Sequence, residues 1–102
     1  MKRTIHHCQP SARQALAAAL VGITEREEME RFLEELLTHG ELCDVTLRWR
    51  LLELLVEGVP QRKIAEELQV SLCKITRGSR ILKNKRSVSR KILSLKNCPI
   101  TC

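Results

Sequence analysis

An all-α fold is the class this 102-residue sequence predicts, and three observations predict it. Leu dominates the apolar residues, beside one Phe, one Trp and no Tyr. Leu, Ala, Glu, Lys and Arg favour helices, whereas β-branched and aromatic residues favour strands. Apolar residues also recur at helical spacing, and Ser, Thr, Gly and Pro stand where helix ends need them. The length suits one small domain, which buries only roughly 60–65% of its unfolded surface. A dimer that shares its core is therefore expected.

Residues 1–10 carry Lys2, Arg3, His6, His7 and Pro10 without periodicity and read as a mobile N-terminal arm. Residues 11–97 read as the helical domain and 98–102 as a C-terminal tail. Ser11 to Val21 is Ala-rich, with Ser11 placed to cap a helix and Gly22 to stop it. Thr24-Glu25-Arg26-Glu27 has the form of a capping box. Met29, Phe32, Leu33, Leu36 and Leu37 then follow on one helix face. A second box, Thr38-His39-Gly40-Glu41, opens a helix that runs to about Glu57 and stops at Gly58. Its stripe is Val45, Trp49, Leu52 and Val56, widened by Leu51, Leu54 and Leu55. A helix this apolar needs cover on most sides.

Pro60 suits the first turn of the next helix, because a first-turn N–H has no partner to lose. Gln61 to Leu68 is short, and Gln69-Val70 breaks it. Ser71 is placed to cap Leu72 to about Lys83, and Ser87 to cap a last helix to about Lys96, with Val88, Ile92 and Leu95 apolar and Pro99 ending it.

Charge is divided unevenly. Residues 1–60 hold 7 Lys/Arg against 10 Asp/Glu, net −3, and residues 61–102 hold 11 Lys/Arg against Glu66 and Glu67, net +9. A basic half of this density suits a polyanion, because cations on phosphates release counterions. Glu25, Glu27, Glu28, Glu30, Glu34 and Glu35 read as a solvated helix face.

Several function classes drop out. Five cysteines at irregular spacing, Cys8, Cys43, Cys73, Cys98 and Cys102, argue for reduced thiols in a cytoplasmic protein. No apolar run approaches the ~20 residues of a membrane span. His6-His7-Cys8 and Cys98/Cys102 are too far apart in sequence to be read as a metal site. Cys73 has no suggested base, and no phosphate-cradling Gly loop or carboxylate pair is present, so no enzyme is expected.

Residues 61–83 have the spacing of a helix-turn-helix. Ala65 is the small residue where two helices cross, and Ile64, Leu68, Val70 and Ile75 supply their shared core. The second helix can then enter a major groove of double-stranded DNA while the first lies across the backbone. Gln61, Arg62 and Lys63 would lie along the phosphates. Leu72, Cys73, Lys74 and Thr76 would face the bases, and Gly78, Ser79, Arg80 and Lys83 complete the DNA-facing set. Lys85 and Arg86 add non-specific attraction.

Ile75-Thr76-Arg77-Gly78-Ser79 followed by Leu82-Lys83 resembles the signature of the trp repressor family. Gly58, Gln61-Arg62, Thr38 and the run Leu47-Arg48-Trp49-Arg50-Leu51-Leu52-Glu53 also fit, so the resemblance covers about residues 24–96. It implies six helices per chain, an interlocked homodimer, binding to palindromic operator DNA, and L-tryptophan as co-repressor. It also implies positions for the ligand. The indole would lie between Arg48 and Arg77, beside Gly78 and Ile81. Thr38 and Arg77 would hold the carboxylate, and the partner's backbone near Glu35 and Leu37 would receive the amino group. A guanidinium both stacks on an indole and forks onto a carboxylate, so the chemistry is sound.

The sequence departs from the family pattern in places. Two residues, Val59 and Pro60, separate Gly58 from Gln61 where three are usual. Gln69 replaces a turn Gly, Arg80 a common Asn, and Ile81 a Ser that faces the ligand's amino group. The implied function is therefore a tryptophan-responsive repressor of tryptophan biosynthesis or transport genes. The alternative is a related DNA-binding dimer that does not respond to tryptophan. A third reading, an interaction module with an acidic partner, rests on charge alone.

Overall fold

The computed structural model describes the backbone of residues 9–101 and the side chains of residues 9–94. Six helices appear in order: α1 (Pro10–Gly22), α2 (Arg26–Leu36), α3 (His39–Val56), α4 (Gln61–Leu68), α5 (Leu72–Lys83) and α6 (Val88–Thr101). Among the described residues there is no strand. Most of the expected arm lies outside the described residues, as do His6, His7, Cys8 and Cys102. The chain divides into two units, the first ending at Leu42 and the second beginning at Cys43.

In the first unit α1 starts earlier than expected, at Pro10, with Gln9 at the cap position and no side-chain cap bond. Proline supplies the start instead of Ser11, since its fixed φ already suits a first helical turn. The capping box expected at Thr24 does not form. Glu25, extended at φ −102° and ψ 135°, occupies the cap position without a side-chain bond. Glu27 and Glu28 in the first turn stabilise the helix start through its dipole and replace the hydroxyl cap. Neither α1 nor α2 buries a residue, and Leu16, Val21 and Leu36 are exposed.

The box at Thr38 does form. The Thr38 N–H donates to Glu41 Oε1 at 2.9 Å. The Glu41 N–H donates back to Thr38 Oγ1 at 3.1 Å. Two free donors at the start of α3 are thereby satisfied.

The second unit has a core of Leu51, Leu52 and Leu54 from α3, Ile64 from α4, Ile75 from α5 and Leu93 from α6. Trp49, Leu55, Val59, Ala65, Leu68, Val70 and Leu82 pack around it. On α3 the buried side is centred on the leucines expected only to widen the stripe, while Val45 and Val56 of the stripe itself are exposed. Because α3 is apolar on nearly every side, periodicity alone does not choose its face. The helices packed on it do. On α6, Leu93 is 1% exposed whereas Val88 is 68% and Ile92 47% exposed. Leu93 points into the core because α6 packs on α5, and one chain can cover only one side of a helix. The helix also continues past Pro99 to Thr101 rather than stopping near Lys96. So close to a helix end, proline's missing N–H removes one bond from the ladder.

The connector from α3 to α4 is tightly held. The Glu57 N–H donates to Glu53 O at 3.0 Å, Gly58 to Leu55 O at 3.1 Å and Val59 to Leu54 O at 3.1 Å. The last two bonds, with Gly58 at φ +89°, make the glycine-terminated Schellman cap. Pro60 stands just before the first turn of α4 rather than in it, and its carbonyl accepts from the Ile64 N–H at 3.0 Å.

The α4–α5 turn is built on Gln69, which is left-handed at φ 55° and ψ 49°. The N–H groups of Gln69 and Val70 both donate to Ala65 O. A side chain in this conformation costs roughly 1–2 kcal/mol. Ser71 then caps α5, its Oγ accepting from the Lys74 N–H at 3.4 Å. Ser87 does the same for α6, accepting from the Arg90 N–H at 3.0 Å. Both serine caps fall where the sequence places them.

Gly78 is buried where α5 meets α3. A Cβ there would lie 2.6 Å from Leu51 Cδ2, 3.2 Å from Leu52 Cδ2 and 3.3 Å from Leu55 Cδ1. A methyl group there would force the Leu51 side chain to shift and would crowd Leu52 and Leu55.

Two stability outcomes follow, both measured by thermal melting in circular dichroism. Gln69→Gly is expected to stabilise by about 0.5–1 kcal/mol, the left-handed cost less glycine's extra entropy in the unfolded chain. A lower melting midpoint would mean that the Gln69 side chain contributes more than its backbone costs. Gly78→Ala is expected to destabilise by about 1–3 kcal/mol through overpacking. An unchanged midpoint would show that the leucines yield freely.

Candidate functional site

Two features of the second unit combine: an exposed basic helix pair and a cleft beside it. On α4, Gln61, Arg62 and Lys63 are exposed in the first turn. On α5, Leu72, Cys73, Lys74, Thr76, Arg77, Arg80 and Lys83 are exposed, and Ser79 is half-buried. Ile64 and Ile75 are fully buried between the helices, which fixes α5 with its polar side outward. Leu72 is 57% exposed at the start of α5, where apolar exposure is unfavourable unless something apolar meets it, as a thymine methyl would. Lys85, Arg86, Arg90 and Lys91 are also exposed, so among the described residues the positive charge beyond Gly58 is displayed rather than folded inward. Of the residues expected to face DNA, Gly78 is the one that is buried.

Between α3 and α5 lie two neighbouring clefts. The first, of about 230 Å³, is lined by Asp44, Leu47, Arg48, Leu51, Val70, Lys74 and Arg77. The second, of about 260 Å³ and mostly apolar, is lined by Val45, Arg48, Trp49, Leu51, Leu52, Lys74, Arg77, Gly78, Ile81 and Ser89. Arg48 and Arg77 line both clefts. They lie far apart in sequence and come together because Gly78 lets α5 settle on α3. Ile81 and Gly78 line the apolar cleft.

Arg48 and Arg50 lie on the same helix and differ in circumstance. Arg50 is engaged with Glu53 at 3.1 Å and Glu57 at 3.8 Å. Among the described residues, Arg48, Lys74 and Arg77 are in no ion pair. Three cations aimed at one cleft without carboxylate partners suit a ligand that carries negative charge.

Glu35, Leu37 and Thr38 belong to the first unit. Thr38 has its hydroxyl oxygen engaged in the α3 cap, and Glu35 is exposed and lines a shallow groove with Ile23, Glu28, Arg31 and Phe32.

Sequence reasoning did not single out Asp44, Leu47, Trp49 or Ser89 as cleft residues, and assigned Lys74 to DNA alone. Asp44 precedes Arg48 by four residues and Lys74 precedes Arg77 by three. Each pair therefore shares a helix face, and that spacing was the signal available. Ser89 comes from α6, and no spacing signal points to it. Cys43 and Cys73 are exposed and in no disulfide. Among the described residues no helix is long and apolar enough to cross a membrane.

Comparison with known proteins agrees with this geometry. A family model described as Trp repressor protein matches residues 3–97. The Trp operon repressor homolog of Chlamydia trachomatis serovar L2 is 40% identical over 70 residues, which are 64% of this chain and 74% of that protein. Its counterpart from serovar D is 39% identical over 70 residues, with the same coverage. No solved structure matches the chain. A chain of six helices, with a helix-turn-helix displayed on a basic half and matched by the family model over nearly its whole length, belongs to the Trp repressor family of DNA-binding transcriptional regulators, which are not enzymes.

Proposed function

We propose that this regulator is a homodimeric repressor that binds palindromic operator DNA in the cytoplasm and uses L-tryptophan as co-repressor. The reading extends to genes of tryptophan biosynthesis or transport as its targets. The observation that carries it is the meeting of Arg48 and Arg77 at one cleft under the DNA-facing helix. An indole between the two guanidinium planes would be held by stacking, and its carboxylate by the Arg77 fork. A ligand wedged there would fix the pitch of α5 and so the fit of both motifs to successive major grooves. Coupling of this kind is typically worth about 1–3 kcal/mol and is reciprocal between ligand and DNA.

In this reading Arg62 and Lys63 touch phosphates near the start of α4. Leu72, Cys73, Lys74 and Thr76 read the groove, and Gln61, Ser79, Arg80 and Lys83 add backbone contacts. Gly78, being buried, acts by setting the height of α5 on α3. Thr38, with the backbone near Glu35 and Leu37 of the partner subunit, completes the ligand site.

The dimer is supported by what a single chain leaves uncovered. Helices α1 and α2 bury no residue fully, and Leu16, Val21, Leu36, Val45, Val56, Val88 and Ile92 are exposed. Isolated helices of this length are marginal in water without packing. Residues 11–97 would then act as one dimerisation and DNA-binding domain.

A second reading has one observation in its favour. Ile81 lines the cleft and offers no polar atom to a ligand's amino group. A DNA-binding dimer indifferent to tryptophan fits that feature. Titration calorimetry with L-tryptophan separates the two readings. Saturable heat is expected, together with operator affinity raised roughly 5- to 150-fold by the ligand. Arg77→Ala is expected to abolish the response. No heat at millimolar L-tryptophan, with operator affinity unchanged, selects the indifferent dimer. In light scattering at micromolar concentration the mass should be that of two chains, and a folded monomer would refute the shared core.

A further inference from the structure

We propose that the α5–α6 turn and the start of α6 form a second DNA-contacting surface, on which Lys85, Arg86, Arg90 and Lys91 hold phosphates outside the groove that α5 reads. The proposal rests on the reading above of α4 and α5 as the DNA-facing pair and not on any ligand. It adds a sequence-independent grip on the duplex.

Residues 68–102 hold nine Lys/Arg and no Asp/Glu. Lys85, Arg86, Arg90 and Lys91 are exposed, and among the described residues none of them is in an ion pair. Arg90 and Lys91 stand where the fold gains nothing from them. The start of a helix carries partial positive charge, so acids stabilise it and cations do not. Glu27 and Glu28 lie in the first turn of α2, and Glu41 in that of α3. The first turn of α6 has no acid, and Arg90 and Lys91 are its third and fourth residues. Two other helices begin in this way. Arg62 and Lys63 open α4, Lys74 is the third residue of α5, and neither helix has an acid in its first turn. Those are the two starts that the reading above turns toward DNA, where phosphates offset the unbalanced charge. The start of α6 carries the same imbalance and suits the same partner.

Geometry sets this surface apart from the groove. Helix α5 has 12 residues, a length of about 18 Å, while a major groove is about 12 Å wide. Lys85 and Arg86 follow the end of α5, so they lie past the groove edge when Leu72 to Thr76 meet the bases. The turn that carries them is held. The Arg86 N–H donates to Asn84 Oδ1 at 2.9 Å, and the Ser87 N–H donates to Asn84 O at 3.0 Å. Leu93 anchors α6 in the core. Cations on a fixed backbone lose less freedom on meeting phosphates than cations on a loose tail.

The test is fluorescence anisotropy of the intact chain with two duplexes, one A·T-rich and one G·C-rich, over roughly 50–200 mM salt. Arg90→Gln/Lys91→Gln removes two charges from the proposed surface. Arg26→Gln/Arg31→Gln removes two from exposed positions on α2 and is the charge-matched control. The α6 variant is expected to flatten the plot of log affinity against log salt by about 1–2 units for each chain in contact, at roughly 0.9 per phosphate. The change should be equal on both duplexes, and the control should keep the original slope. The α6 variant should melt no lower than the unmodified protein, since its helix start is relieved of two cations. An unchanged slope, or one that both variants flatten alike, leaves the patch as solvated surface and overturns the proposal while the reading of α4 and α5 stands. Flattening on one duplex alone means base reading rather than a phosphate grip, and a lower melting midpoint means that the cations serve the fold; either overturns it. If the unmodified protein has no salt-dependent affinity for either duplex, the reading of α4 and α5 as DNA-facing falls and the proposal with it.

Discussion

The contact between Gly78 on α5 and the leucines of α3 is the constraint on which the second unit depends. It sets how close the two helices come, with space for a hydrogen atom and not for a methyl group. That approach puts Ile75 in the core beside Ile64 and the α3 leucines. It also turns the opposite side of α5 outward and brings Arg48 and Arg77 to one cleft. The exposed basic face and the cleft beneath it are two sides of the same packing decision. Interiors are close-packed and resist continuous deformation. Anything that changed the α3–α5 spacing would therefore be felt at the exposed face of α5, which is the physical basis of the coupling proposed above.

The helix-turn-helix was the most legible part of the fold. Its punctuation is local: Pro60 before α4, the break at Gln69-Val70, and the Ser71 hydroxyl at the start of α5. Local signals survive whatever the rest of the chain does. The two capping-box patterns show where such reading fails. At Thr38 the hydroxyl and carboxylate exchange bonds. At Thr24 a first turn rich in Glu allows the helix to begin without the threonine. The faces of α3 and α6 were less legible, because apolar residues on several sides leave the choice to tertiary packing. Leu93 and Val88 are both apolar, and only the position of α5 decides which is buried.

The candidate site was legible in its cations and not in its carboxylate. Arg48 and Arg77 were expected together through resemblance to a family, and the cleft brings them together. Asp44 reads in sequence as one more acidic residue on a helix surface. Only when α5 supplies the opposite wall does it line a cleft. Lys74 likewise reads as a groove residue until its place beside the cleft is seen. Residues that line one cleft from two helices are invisible to spacing along one.

The connector between α3 and the motif has a consequence for motion. Glu57, Gly58 and Val59 each return their amide to the end of α3, and Pro60, the last residue of the link, has no amide to return. A pivot needs torsions that turn at little cost and polar groups that water can take over midway. This link offers few of either, since turning it would break three hydrogen bonds and shift a glycine from the conformation that closes the helix. It is a splint rather than a hinge. Movement of α4 and α5 as a rigid paddle on α3 is therefore disfavoured. The softer coordinate lies further along, at Gln69, where the backbone is already strained and α5 can tilt against α4 while the splint holds.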